Sequence, residues 1–306
     1  MVSILIPVFN RADVVSKTLE SALAQTHTDI EVIVVDNAST DGTWDIICAH
    51  AKADSRVRAF QNETNLGPVQ NWLRCIQEAR GDYGKIVWSD DWIAPDFLEK
   101  TLPLIEQNPT IGFVFSAIQM VDQTETPTHT ACVIGATGLY PSDTYIQGIF
   151  LTDTMPLSPG CALFRLTDLR QNLWLDIPNP IHSNFAMHAI GNDLLLFLLT
   201  ANQYAQFGFV AEPLAFFRAH PGSISADSGD IKLAVFYSLT KAFFAQTYRP
   251  DLIASLNTRL WFLLKRHTKK LAIYGLKTRS DFYTEPRPFC FNYRLFFSIL
   301  WRKLIG

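Results

Sequence analysis

Val32-Ile33-Val34-Val35-Asp36-Asn37-Ala38-Ser39-Thr40-Asp41-Gly42 is an unbroken β-branched run that stops at a polar, turn-forming loop. Four consecutive apolar residues without alternation predict a strand, spanning Ile30 to Asp36, that is covered on both faces. Directly after the loop, Trp44, Ile47, Cys48 and Ala51 fall at helical spacing, so Asp41 to Lys52 reads as a helix. The same alternation surrounds this unit. Val2 to Phe9 is followed by an amphipathic Ala12 to Gln25, Val57 to Gln61 by Gly67 to Arg80, and Lys85 to Trp88 closes the series. Strand, helix, strand, helix predicts an α/β fold: a Rossmann-like, mostly parallel sheet flanked by helices.

In such sheets ligands sit beyond the carboxyl ends of the strands. The four ends are Pro7-Val8-Phe9-Asn10-Arg11, Asp36 to Gly42, Asn62 to Gly67, and Ser89-Asp90-Asp91, and all are polar. Asp is a poor strand residue and costly to bury, so the adjacent carboxylates Asp90 and Asp91 point to a hard cation. The competing reading is local: a cap for a helix beginning near Ala94-Pro95-Asp96, and Ser39 or Thr40 as a cap for the helix from Asp41. Beyond residue 110 the pattern loosens. Gly112 to Val121 and Phe207 to Phe217 read as strands, Thr124 to Gly138 as turn-rich, and Asn192-Asp193 opens an apolar helix, Leu194 to Ala201.

At 306 residues and 48% hydrophobic, the chain can bury a large core. Its five cysteines lack CxxC or CxxH spacing, which predicts reduced thiols and no zinc site. The N-terminus lacks a basic n-region, and no uncharged apolar run reaches the roughly 18 residues of a membrane span, so a cytoplasmic location is expected. The net charge of -3 conceals a division. Residues 1–250 carry 15 Lys and Arg against 26 Asp and Glu, whereas residues 251–306 carry 11 against 3. A basic tail of this kind predicts anionic lipid as a partner.

Several motifs occur in one order: Ile6-Pro7-Val8-Phe9-Asn10-Arg11, Val35 to Thr43, Asn65-Leu66-Gly67, Ala79-Arg80-Gly81-Asp82-Tyr83, and Ser89-Asp90-Asp91 with Pro95-Asp96-Phe97-Leu98. Gly191-Asn192-Asp193 and Pro213 to Ser225 follow. Together they resemble the family 2 glycosyltransferases of GT-A fold, which are inverting enzymes using nucleotide-activated sugars. The resemblance covers residues 1–226 and implies a catalytic domain there, with a nucleotide-sugar half to about residue 120 and an acceptor half from 121, followed by a helical region over 227–306. It implies a UDP- or dTDP-sugar donor and Mn2+ or Mg2+. Asp91 would be the direct metal ligand, with Asp90 toward the ribose or a metal-bound water, and His220 would complete the site, which suits manganese better than magnesium. Asp36 would accept the imide N–H of uracil or thymine, Pro7, Val8 and Phe9 would pack on the base, and Asn10, Arg11, Ser39, Asn65 and Gly67 would line the nucleotide. Asp193 would be the base that deprotonates the acceptor hydroxyl. The family's usual Glu-Asp pair is here Asn192-Asp193. Ser158-Pro159-Gly160 resembles a loop lining the acceptor, and Trp92 and Trp174 are candidates for stacking on sugars.

The expected acceptor is a glycan or lipid-linked glycan of cell-surface polysaccharide assembly, and nucleic acid is not an expected partner. Tyr293, Phe296, Phe297, Leu300, Trp301 and Leu304 form one face of an amphipathic helix, and Leu256 to Leu271 mixes apolar with basic residues. These helices either lie peripherally on the cytoplasmic face of the inner membrane or pack on the protein or across a homodimer. A sugar nucleotidyltransferase or a dehydrogenase is disfavoured, because no Gly-rich loop follows the first strand. A glycan-binding protein on a degenerate fold stays open.

Overall fold

A computed structural model describes residues 1–152, 154–220, 224–287 and 289–305, with side chains described except at 224–227 and 302–305. The N-terminal half runs β1 (Val2–Val8), α1 (Val15–Leu23), β2 (Ile30–Asp36), α2 (Thr43–Ala53), β3 (Val57–Gln61), α3 (Pro68–Glu78), β4 (Tyr83–Ile86), β5 (Trp92–Ile93) and α4 (Phe97–Glu106). It continues through β6 (Ile111–Val121), β7 (Pro127–Ala131), β8 (Gly138–Pro141), α5 (Ser142–Gln147), β9 (Ala162–Arg165), α6 (Leu166–Asn172), α7 (Phe185–His188), α8 (Asn192–Gln203) and β10 (Gln206–Arg218). Three helices close the chain: α9 (Ile224–Thr247), α10 (Ile253–Ala272) and α11 (Tyr293–Ile305).

The described strands form one sheet in the order β3-β2-β1-β4-β9-β6-β10-β5, with β7 on β6 and β8 on β10. Pairs among β3, β2, β1 and β4 are parallel, as the βαβ pattern requires. The second half is mixed: β6 and β10 are parallel, but β9 lies antiparallel between β4 and β6. β2 is buried along its whole length, which accounts for its unalternating sequence. Pro7, which lacks an N–H, sits just beyond the last β1–β4 pair, Leu5 with Ile86, where that ladder ends. The turn-rich stretch from Thr124 contains a strand, β7, because Asp122 Oδ1 accepts from the amides of Thr124 and Thr126 and folds the chain back onto β6.

Sheet and helices enclose a phenylalanine cluster. Phe113 has ring centroids of Tyr145, Phe164, Phe197 and Phe207 at 5.3, 5.6, 4.9 and 5.5 Å, and burial of each such ring contributes roughly 1.5–3 kcal/mol. The boundary expected at residue 226 does not separate two cores. Val235, Phe236, Leu239 and Phe244 of α9 and Leu256 and Leu260 of α10 belong to the same apolar cluster as Phe113 and Leu195. Thr240 stands against Gly191, at the entrance of α8, so closely that a Cβ there would fall inside contact distance of its hydroxyl. Among the described residues no helix is long and apolar enough to cross a membrane.

Candidate active site

The ends of β1, β2 and β3 are tied to one another by side chains. Asp36 is fully buried, and its carboxylate accepts from the Ser39 amide at 3.1 Å, the Ser39 hydroxyl and Gln61 Nε2 at 3.0 Å. Ser39 Oγ in turn accepts from the Asn10 amide at 2.8 Å, while Asn10 Oδ1 takes the Thr40 amide at 2.9 Å. Asn10 adopts a left-handed φ of 51°, a conformation Asn tolerates. Asp41, not Ser39 or Thr40, serves the start of α2, its Oδ1 taking the Thr43 amide at 3.1 Å. Pro7 and Val8 are buried inside β1, so of the three residues expected on the base only Phe9, 41% exposed, offers a surface.

Beneath the loop after β3 lies a network of buried asparagines that sequence reading missed. Asn37 Nδ2 donates to Asn65 Oδ1 at 2.9 Å, and Asn37 Oδ1 accepts from Asn62 Nδ2 at 2.8 Å and from the Leu66 amide at 3.0 Å. Asn71, on α3, accepts from Asn62 and donates to the Val35 carbonyl, locking the loop to the sheet. Asn65 is itself exposed and also braces this loop, its Oδ1 taking the Gly67 amide at 2.9 Å. Gly67 has φ +85°, and a Cβ on it would stand 2.8 Å from Met187 Sδ. The positive φ is what requires glycine here, since the exposed Met187 side chain of α7 could move aside.

At the end of β4 the two carboxylates diverge. Asp91 was expected to bind metal, with Asp90 toward the ribose or a metal-bound water; in the structure it is Asp90 that meets His220, while Asp91 turns into the protein. Asp91 is buried, 7% exposed, and its Oδ1 accepts the Arg218 amide at 2.9 Å. Its carbonyl takes the Thr18 hydroxyl at 2.7 Å, fastening β10 and α1 to this turn. Burial, reinforced by the neighbouring Asp90 charge, pushes the Asp91 carboxyl well above the usual carboxylate range. Asp90 instead meets His220 Nε2 at 2.9 Å and Arg11 Nε at 3.4 Å through its Oδ2. A carboxylate oxygen and an imidazole nitrogen this close can bind one cation side by side, and the mixed O,N pair suits manganese over magnesium. Among the described residues no group of three His, Cys, Asp or Glu is placed to hold a metal, so further ligands would come from the substrate and water. Pro221, Gly222 and Ser223, which complete the motif around His220, lie outside the described residues.

Behind the carboxylates, Lys85 is fully buried in β4. Its ammonium donates to the Gly160 carbonyl and lies 4.3 Å from the Phe97 ring centroid, and burial lowers its pKa to about 7. A lysine within a predicted buried strand was the signal that could have identified it. The Ser158-Pro159-Gly160 loop is secured to the same strand end by Trp88 Nε1, which donates to Ser158 Oγ at 2.7 Å. Trp92 does not present a free face: Phe216 stacks on it at 5.4 Å and the Lys17 ammonium lies 3.5 Å from its ring centroid. Trp174 packs edge-on against Phe243 of α9.

Asp193 is held at the start of α8. Its Oδ1 accepts the amides of Gly191 at 2.9 Å and Leu194 at 2.8 Å, as a helix-start residue would, while its Oδ2 accepts the Tyr237 hydroxyl at 2.9 Å. Burial raises its pKa to about 6, with those three donors acting in the opposite direction. Tyr237 belongs to α9, and nothing in its local sequence distinguishes it from other residues on that helix. Asn192, in place of the usual Glu, donates to the Trp174 and Leu175 carbonyls at 3.0 and 3.2 Å and so anchors the incoming chain.

A family model for glycosyl transferase family 2 matches residues 3–173, more than half of the chain. The putative teichuronic acid biosynthesis glycosyltransferase TuaG of Bacillus subtilis is 34% identical over 127 residues, 42% of this chain and 50% of that protein. An uncharacterized glycosyltransferase of Haemophilus influenzae is 27% identical over 240 residues, 78% of this chain and 75% of that protein. The match to TuaG thus spans half of that relative's length. The fold resembles the crystal structure of Staphylococcus aureus TarS 1–349 in complex with UDP-GlcNAc, with TM-score 0.66 and 17% identity over 89% of this chain and 75% of that one. It also resembles the mannosyltransferase PcManGT of Pyrobaculum calidifontis in complex with GDP-Man and Mn2+, at TM-score 0.56 and 15% identity, covering 99% and 79% of the two chains. With the motifs of residues 6–98 lying inside the matched region and the sheet carrying the GT-A architecture, the chain belongs to glycosyl transferase family 2.

Proposed function

We propose that the protein transfers a sugar, with inversion, from a UDP- or dTDP-sugar to a hydroxyl of a glycan or lipid-linked glycan in cell-surface polysaccharide assembly. The observation that carries the reading is the meeting of Asp90, His220 and Arg11, drawn from three distant segments, at the ends of the strands. Asp90 and His220 would hold Mn2+ or Mg2+, and the cation would offset charge building on the departing diphosphate. Arg11 adds a guanidinium suited to phosphate oxygens. The acceptor oxygen bonds to the anomeric carbon as the bond from that carbon to the diphosphate oxygen breaks. The hydroxyl proton passes to Asp193, and the nucleoside diphosphate leaves. A carboxylate with pKa about 6 is largely ionised at neutral pH yet more basic than a solvated Asp, which suits the role.

Asp36 favours uracil or thymine over cytosine, since its carboxylate can accept the imide N3–H, whereas the cytosine ring N3 carries no proton. Gln61 Nε2 occupies one of its oxygens at 3.0 Å and would yield to the imide N–H. The UDP-GlcNAc complex of TarS favours the uridine series, the GDP-Man complex of PcManGT the guanosine series, and the teichuronic acid assignment of TuaG a cell-envelope glycan. Calorimetric titration with UDP, dTDP, GDP and CDP, each with Mn2+ and with EDTA, tests the reading. The expected result is Mn2+-dependent binding of UDP or dTDP; binding of GDP alone would overturn the role given to Asp36, and binding of none would overturn the donor site.

A further inference from the structure

The segment joining α10 to α11 lines a half-open cavity that the donor chemistry does not use. Asn257 of α10 lines it together with Arg279, Ser280, Tyr283, Arg287 and Phe289, and its volume is about 60 Å3. That is room for a few water molecules at roughly 10–15 Å3 each, or for one tetrahedral oxyanion. Two of the lining residues carry buried nitrogens, Nη1 of Arg279 and Nε of Arg287, and neither nitrogen has an acceptor among the described residues. Buried guanidinium N–H groups are ordinarily satisfied, so two beside one cavity leave an acceptor to be accounted for.

Of the neighbouring groups, Gln246 takes Arg287 Nη2 on its carbonyl at 3.4 Å and keeps its buried Oε1 without a partner among the described residues, and the others are engaged elsewhere. The Tyr283 hydroxyl donates to Asn257 Oδ1 at 3.0 Å, and Asn257 Nδ2 donates to the Cys290 carbonyl at 3.0 Å. Asp281 Oδ2 takes the amides of Lys277 and Thr278, each at 2.7 Å. Glu285 meets Arg287 through Nη2 at 3.1 Å, leaving Nε unmet, and its side chain is 70% exposed.

We infer that this cavity binds the phosphate of an anionic lipid headgroup. Two guanidinium groups provide charge-assisted donors for phosphate oxygens. The surroundings select the lipid over a free anion. The Arg279 guanidinium lies 4.3 Å from the Phe289 ring centroid, Phe289 stacks on Phe291 at 6.1 Å, and Phe291 meets Tyr293 at 5.2 Å. This aromatic line leads from the cavity onto α11, where Tyr293, Phe297 and Trp301, four residues apart, are 63%, 64% and 66% exposed. Phe289 itself is 66% exposed. A solvated phosphate has no use for such a rim, whereas an interface presents acyl chains beside phosphates. The excess of 11 basic over 3 acidic residues after residue 250 has the matching sign.

Co-sedimentation of the full-length protein with vesicles of phosphatidylglycerol in phosphatidylcholine, against phosphatidylcholine alone, tests the inference beside calorimetry with inorganic phosphate. Binding to the anionic vesicles is expected, with at least a tenfold loss in R279Q/R287Q, whose Mn2+-dependent nucleotide binding serves as the folding control. Unchanged vesicle binding in that variant overturns the proposal, as does wild-type binding to phosphatidylcholine alone that equals binding to the anionic mixture. Phosphate binding without vesicle binding also overturns it, by making the ligand a soluble anion. Should the double variant fail to fold, F297S/W301S carries the test, since those exposed side chains should also be required for the vesicle interaction. Full vesicle binding by that folded variant would overturn the lipid assignment.

Discussion

Adjacent residues of one type can have opposite roles, and Asp90 and Asp91 illustrate how neighbours decide this. Asp90→Asn should weaken Mn2+-dependent nucleotide binding at least tenfold, whereas Asp91→Asn should leave that binding within a few-fold, as titration calorimetry would read. The reverse order would return the metal to Asp91. Asp193 should impose an acidic limb on kcat near pH 6, the enzyme gaining activity as the carboxyl loses its proton. The Tyr237 hydroxyl donates to Oδ2 and favours the charged form, so Tyr237→Phe should move this limb upward by about one to two pH units. A limb left in place with merely reduced kcat would make Tyr237 a packing residue. The sign for stability is opposite to that of a salt-bridged carboxylate. The raised folded pKa means the protein loses stability as pH rises from 3.8 through about 6, and the penalty is absent below 3.8. Both aspartates were legible as candidates from their place after a strand and before a helix. Their orientations were not, because Arg218 and Tyr237, which fix them, lie 127 and 44 residues away.

Elements carry the site through their ends. The β-branched run of β2 and the helical spacing of α2 identify both elements, since each periodicity is a property of contiguous residues. Leu157 to Arg165 reads as a loop entering a strand, as β9 is, but neither the antiparallel pairing of β9 nor the short strand β5 was identified beforehand. Each depends on pairing with a distant strand, β5 with β10, and β9 with β4 and β6. The junction of α8 and α9 offers a direct test. Gly191 has φ +109° and lies against Thr240, so Gly191→Ala should both strain the backbone and force α9 away. A loss of about 2–4 kcal/mol in denaturant-measured stability is expected, with a larger loss of activity, because the same junction brings Tyr237 to Asp193. Gly191→Ala with unchanged stability would show that α9 is readily displaced.

At the scale of the whole molecule, the helices after residue 226 are part of the core that supports Asp193. A chain ending at residue 226 should lose cooperative thermal unfolding and expose apolar surface to dye binding, since Phe236, Phe244 and Leu256 would be removed from the cluster around Leu195. A truncated chain that melts cooperatively and binds nucleotide would mean the two parts fold separately. Charge asymmetry and aromatic spacing identified the C-terminal region as distinct, and both are sums over local sequence. By itself the sequence determined the α/β class, the positions of the strand ends and the polar residues offered there, because hydrophobic period and turn chemistry act over a few neighbouring residues. Only the tertiary structure decided which carboxylate turns toward His220, which helix supplies Tyr237, and which arginine nitrogens beside the C-terminal cavity lack acceptors among the described residues. Those outcomes rest on contacts between side chains far apart in the chain, whose geometry exists only once the core has brought them together.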